Sequence, residues 1–178
     1  MKLPDFLGIG TQKGGTTYLH SLLSEHPQAF LAIPKELHFF SLHYQKGLAW
    51  YRDFFKSAAD DKSCGEITPY YMFHPLAFKR IHKHLPDVKL IVLLRDPVER
   101  AISQFFHSRR LGLEPLGFKD AFAVEEQRLL GSARNLDEGY VHISHQQHSY
   151  LSRSRYDVQL KQLLTGKLNQ KIQILNHE

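Results

Sequence analysis

The chain has 178 residues, 42% of them hydrophobic and 23% charged, which is enough apolar material for one packed core and excludes wholesale disorder. A single cysteine, Cys64, excludes a disulfide framework and any Cys-rich zinc module, and no apolar run nears the ~20 residues of a membrane span. With 23 Lys and Arg against 18 Asp and Glu the net charge is +5, which favours an anionic partner.

The basic residues stand singly near turns and helix ends, which suits a small anionic ligand better than a nucleic acid. Residues 1–5 lack the apolar stretch of a secretory leader, so a cytoplasmic, reducing setting is expected.

The pattern alternates strand and helix. Phe6–Ile9 reads as a buried strand, and Thr17–Ser24 as a helix with Leu19, Leu22 and Leu23 on one face. Leu48–Phe55 is helical, and its Trp50, Tyr51, Phe54 and Phe55 are assigned to the core rather than to a stacking platform. A weaker strand follows at Cys64–Ile67, then a short amphipathic helix at Ala77–His84, a strand at Leu90–Leu94 and a longer helix at Pro97–Arg110. Phe118–Leu130 is predicted helical and Gly131–Gly139 a mobile loop; the span Leu111–Tyr150 is expected to shape a substrate cleft. A helix at Tyr156–Leu164 leads into a last strand at Ile172–Leu175.

Such alternation predicts an α/β fold: a single three-layer, P-loop-like domain over residues 1–178, with a central parallel sheet flanked by helices. The sequence given stops at Glu178, directly after a strand, and reads as a domain whose C-terminal part is missing.

The most informative segment is Gly8-Ile-Gly10-Thr-Gln12-Lys13-Gly14-Gly15-Thr16-Thr17. It follows a strand and opens a helix, where backbone N–H groups and the helix dipole cradle anions. Gly10 and Gly15 have the spacing of G-x-x-x-x-G-K-[ST], but Thr16 stands where that motif has its lysine, and Lys13 lies inside the loop. A lysine there sits nearer the first phosphate and its leaving oxygen than the β/γ-phosphates. A glycine-rich turn without a ligand is the plain alternative; strand, glycines, lysine and paired threonines together favour anion binding.

Lys89–Arg100 reads as a buried strand running into a helix start. Asp96 suits the N-cap, Pro97 the first helical position, and Glu99 the closing acid of a capping box. Arg95 has no such structural reason and stands at the carboxyl end of a parallel strand, where open α/β sheets bind ligands. Ser103 and His107, four apart, share a helix face; Arg95 and Ser103 together make a second phosphate clamp, although Ser103 taken alone reads as an ordinary helix serine.

These two segments resemble sulfotransferases that use 3′-phosphoadenosine 5′-phosphosulfate (PAPS). Gln12-Lys13-Gly14-Gly15-Thr16-Thr17 is similar to their 5′-phosphosulfate loop, and Leu94–Ser103 to their 3′-phosphate segment. Pro34-Lys35-Glu36-Leu37-His38-Phe39-Phe40, Gly47-Leu48-Ala49-Trp50-Tyr51 and Glu66-Ile67-Thr68-Pro69-Tyr70-Tyr71 resemble the heparan sulfate N- and 3-O-sulfotransferase branch. The resemblance implies sulfuryl transfer to a hydroxyl or amine acceptor, with a saccharide leading, no metal, and 3′-phosphoadenosine 5′-phosphate (PAP) as product. It implies that Gln12, Lys13, Gly14, Gly15, Thr16 and Thr17 hold the phosphosulfate, with Lys13 on the bridging oxygen. Arg95 and Ser103 would take the 3′-phosphate, Glu36 would be the general base, and His107 would lie near the reacting centre. It also implies a basic, glycine-containing loop beyond residue 178.

Two other classes fit the sequence less well. A P-loop kinase or NTPase needs a lysine after Gly15 and a magnesium ligand; a non-catalytic polyanion binder predicts steep salt dependence and no preference for adenine nucleotides. Glu36 alone could be a surface carboxylate paired with Lys35. His142, His145 and His148 are read as a solvated face rather than a metal site. Arg109, Arg110, Arg153 and Arg155 are either a steering set for an anionic acceptor or a solubilising surface.

Overall fold

Runs such as Phe6-Leu-Gly-Ile and Leu90-Ile-Val-Leu-Leu lack helical periodicity and are buried on both faces, as strands inside a helix-covered parallel sheet must be. In a computed structural model, which describes residues 2–136, 141–165 and 171–176, they pair as expected. The strands β1 (Phe6–Gly10), β2 (Ala29–Leu31), β3 (Ser63–Ile67), β4 (Lys89–Leu94) and β5 (Ile172–Asn176) form one parallel sheet ordered β2-β3-β1-β4-β5. The expected α/β, P-loop-like architecture is present. β2 was not anticipated, because three residues give too short a pattern to read.

The helices are α1 (Thr16–Glu25), α2 (Gly47–Asp53), α3 (Ala77–His84), α4 (Pro97–Arg110), α5 (Phe118–Ala123), α6 (Glu125–Leu129), α7 (Ile143–Gln147) and α8 (Tyr156–Thr165). The main core joins Leu7, Ile9 and Val92 of the sheet to Tyr51 and Phe55, to Ala77 and Ile81 of α3, and to Leu163 of α8. Trp50 and Phe54 pack against it, as their pattern predicted. A second cluster joins Ala101 and Phe105 of α4 to Ala121 of α5 and to Tyr150.

The single helix expected over Phe118–Leu130 is broken at Val124. The break turns buried Glu125 so that its carboxylate accepts the Leu151 and Ser152 N–H groups at 2.7 and 2.8 Å. Of the loop expected over residues 131–139, Ser132–Leu136 forms a 3-10 turn; residues 137–139 lie outside the described residues. Among the described residues no helix is long and apolar enough to cross a membrane.

Candidate active site

β1 lies between β3 and β4, which lead the chain away on opposite sides, so its carboxyl end is the switch point of the sheet. The loop that leaves it is tight. Thr11 N–H donates to the Leu93 carbonyl at 2.7 Å and Gly14 N–H to the Thr11 carbonyl at 2.9 Å. A side chain on Gly14 would stand 2.8 Å from Thr11 Cγ2 and 2.9 Å from the Leu93 carbonyl oxygen, so glycine is required by close approach. Lys13 and Gly15 both take positive φ, 69° and 94°. No side chain caps α1, which leaves its first-turn N–H groups as open donors at the positive end of the helix dipole.

Across the sheet, Asp96 Oδ1 accepts the Glu99 N–H at 2.9 Å and Pro97 opens α4, as the sequence predicted. The reciprocal half of the capping box is not made. The Glu99 carboxylate instead takes Arg95 Nε and Nη2 at 3.2 and 3.1 Å, because the strand-end guanidinium is the stronger donor. Arg95 Nη1 also reaches the Lys13 carbonyl at 3.5 Å, bridging the two loops.

Between them lies a cleft of about 430 Å³. Gln12, Lys13, Gly15, Thr16, Thr17, Glu36, Arg95, Ser103 and His107 all line it, together with Lys35; Gly14 is buried behind the loop that it allows to turn. Burial pushes the Lys13 ammonium below its usual range, and the cations Arg110 and Arg95 push it the same way. His107 is lowered by burial first and then by Lys13 and Arg110, against the opposing pull of Glu36. Cations thus gather here without enough carboxylates to match them, which is the electrostatic condition for holding an anion.

Glu36 faces these cations from the loop after β2. Its backbone has φ 63° and that of His38 has φ 53°, conformations that cost a non-glycine residue of order 1–3 kcal/mol each. Lys35 Nζ stands 2.7 Å from Glu36 Oε1 and His38 Nε2 3.5 Å from Oε2. Burial by itself would raise the Glu36 carboxyl, but the His38 and Lys35 contacts outweigh it and bring it down to about 2. Glu36 is therefore an ionised acceptor at any physiological pH.

The strained loop rests on a buried polar network. Glu66 is 2% exposed, and its carboxylate accepts from Tyr51 Oη at 2.7 Å, Tyr71 Oη at 2.8 Å and Thr68 Oγ1 at 2.7 Å. The same Thr68 oxygen accepts the His38 N–H at 3.5 Å, and Tyr71 Oη accepts the Phe40 N–H at 3.3 Å. Arg80 Nη1 donates to the Phe40 and Ser41 carbonyls, at 3.0 Å each. The segment Glu66–Tyr71 gave no chemical reason for its carboxylate and hydroxyls. Its function is to hold the Glu36 loop by hydrogen bonds, visible only once the chain has folded.

Two sequence expectations are corrected here. The histidine segment is not a solvated face. His145 and His148 are buried; Tyr70 Oη meets His145 Nδ1 at 2.7 Å, and His148 Nε2 meets the Leu113 carbonyl at 2.9 Å. Among the described residues no group of three His, Cys, Asp or Glu is placed to hold a metal. Nor do the four arginines act as one surface. Arg109 donates to the carbonyls of Glu114, Pro115 and Leu116, Arg155 pairs with Asp157 at 3.4 Å, and Arg153 is buried. A larger groove of about 640 Å³ lies elsewhere, between α5, α6 and the Leu151 turn. Among the described residues its charged walls are Glu125, Glu126 and Arg155, with none of the main cleft's cations.

A family described as the sulfotransferase domain matches residues 3–173. The membrane-associated sulfotransferase kil1 of Dictyostelium discoideum is 43% identical over 132 residues, 70% of this chain and 28% of that protein. Heparan sulfate glucosamine 3-O-sulfotransferase 6 of Homo sapiens is 43% identical over 104 residues, 58% of this chain and 30% of that protein. The chain thus spans less than a third of the length of these curated relatives. A sulfotransferase crystal structure from Alicyclobacillus acidocaldarius superposes with a TM-score of 0.82 at 26% identity, covering 99% of this chain and 74% of that one.

Proposed function

The chain belongs to the sulfotransferase domain family, and on that premise we propose that it moves a sulfuryl group from PAPS to a saccharide hydroxyl. The observation that carries this is the convergence of Lys13, the open N-terminus of α1, Arg95, Ser103 and Glu36 on one cleft. A donor with phosphates at both its 5′ and 3′ positions matches two anion sites at the tips of β1 and β4. The relatives named for 3-O-sulfation of heparan sulfate support a sugar hydroxyl as acceptor.

Each residue then has a defined task. Lys13 and the N–H groups of Gly15, Thr16 and Thr17 hold the 5′-phosphosulfate, while Arg95 and Ser103 hold the 3′-phosphate. Glu36 accepts the proton of the acceptor hydroxyl as the new S–O bond forms. The old bond from sulfur to the bridging oxygen breaks, and its electron pair stays on the 5′-phosphate of PAP, beside Lys13. A carboxylate as acidic as Glu36 is a weak base toward a free hydroxyl. Proton transfer must therefore accompany S–O bond formation, which makes the hydroxyl oxygen far more acidic. His107, between Lys13 and Glu36 in charge terms, steadies the charge passing between them.

A binding titration of PAP against AMP, without magnesium, tests the reading. PAP is expected to bind about tenfold or more tightly, the value of one or two charged hydrogen bonds, and Arg95→Ala to abolish that advantage. Equal affinity for the two nucleotides overturns it.

A further inference from the structure

Beside the main cleft lies a smaller one of about 80 Å³, walled by Gln12, Glu36, His38, Tyr70 and Arg153 among others; it shares Gln12, Glu36 and Pro69 with the larger. Arg153 is the unusual member. It is 2% exposed, yet among the described residues no carboxylate hydrogen-bonds to it. Its Nη2 donates to the His145 and Gln146 carbonyls at 2.9 Å each, its Nη1 donates to Gln12 Oε1, and its Nε has no partner among the described residues. The guanidinium lies over the rings of Phe73 and Tyr70, 4.9 and 5.2 Å from their centroids.

The turn that carries it is fixed from both sides. Glu125 takes the N–H groups of Leu151 and Ser152, and Arg100 Nε donates to Ser154 Oγ at 2.6 Å, while Ser154 Oγ donates to the Pro97 carbonyl at 2.8 Å. A buried cation is costly, and a structural role alone, taking up the last carbonyls of α7, would need only Nη2. What Nη1 adds concerns Gln12. An arginine only donates, so the Gln12 amide must turn its oxygen toward Arg153, and its NH₂ group is directed the other way. That nitrogen has no hydrogen-bond partner among the described residues, and Gln12 borders both cavities, between the Lys13 loop and Glu36.

We propose that Arg153 is a positioning residue for sulfuryl transfer: it locks the Gln12 amide so that its N–H₂ donates to a non-bridging oxygen of the group in flight. The donor keeps sulfur in line between the acceptor oxygen that bonds to it, losing its proton to Glu36, and the bridging oxygen that leaves as PAP phosphate. The inference rests on the sulfotransferase reading and adds a residue that acts on the phosphosulfate loop from behind, through Gln12.

The test compares Gln12→Glu, Gln12→Ala and Arg153→Lys in thermal unfolding, PAP titration and steady-state transfer from PAPS. Gln12→Glu keeps the Arg153 contact, as an ion pair, but loses the donor. It is expected to unfold at a higher temperature than the parent while kcat falls about 10–100-fold. Arg153→Lys and Gln12→Ala are expected to lower kcat by a similar factor with PAP affinity within about twofold, and the double variant to be no slower than the slower single. Parental kcat in Gln12→Glu overturns the inference, as do losses that multiply in the double variant. If the parent chain does not prefer PAP over AMP, the donor site itself is wrong and this inference falls with it. Because Gln12→Glu leaves Arg153 in place, the test survives a fold that tolerates no change at Arg153.

Discussion

Lys13 and Glu36 line one cleft, and their surroundings hold both below their ordinary pKa values. Among the described residues Lys13 makes no salt bridge, so in the proposed reaction its charge is available to the phosphosulfate. Removing it by Lys13→Ala is expected to lower kcat by about 10²–10³-fold, as loss of one charge-stabilising donor does, with a smaller effect on the acceptor KM; steady-state kinetics check this. Glu36, held at about 2, stays ionised well into acid. Its pH sign follows. A carboxyl lowered on folding contributes stability above its ordinary value of 4.5 and loses it as pH falls toward about 2. Glu36→Gln is therefore expected to cut kcat by about 10²–10⁴-fold and to shrink the loss of urea stability between about pH 5 and pH 3. An unchanged turnover rate would remove the base assignment.

The loop after β2 shows how an element can depend on a group that never touches the site. Its positive-φ residues at positions 36 and 38 are held by Thr68, Tyr71 and Arg80, and the first two are organised by Glu66. Burial raises the Glu66 carboxyl, against the lowering effect of its three hydroxyl donors. Glu66→Ala strands those hydroxyls and leaves a cavity, so it is expected to cost about 3–5 kcal/mol in urea unfolding. Here the pH sign is the reverse of that of Glu36. An acid raised on folding binds a proton longer in the native state, so stability falls as pH rises through the interval above 4.5. Glu66→Gln is expected to flatten that interval. The sequence motif Glu66–Tyr71 was legible as a unit, but its role was not, because the groups it serves are some thirty residues away in the chain.

At the scale of the whole molecule, the sheet order decides where chemistry happens. With β1 between β3 and β4, the loop after β1 and the start of α4 meet although about 80 residues separate Lys13 from Arg95. Hydrogen exchange should report this directly. Added PAP is expected to protect residues 11–18 and 95–107 and to leave the larger groove at residues 122–131 unchanged. Protection centred on that groove would place the site elsewhere.

All the described strands but β2, and the longer helices, were fixed by local physics: apolar runs without helical period, stripes at period 3.6, and caps at Asp96-Pro97. The glycine-rich turn after β1 and the Arg95 strand end were equally legible as local structure, since both depend on backbone geometry that neighbouring residues set. Only the tertiary structure placed Glu36 in one cleft with Lys13, because an isolated Lys35-Glu36 pair looks like any surface pair until a cleft forms around it. Only it turned Arg153 from one of several surface arginines into a buried contact of Gln12. The reason is the same in both cases. Burial, hydrogen-bond direction and charge balance are properties of groups brought together across the chain, and no stretch of sequence contains both partners.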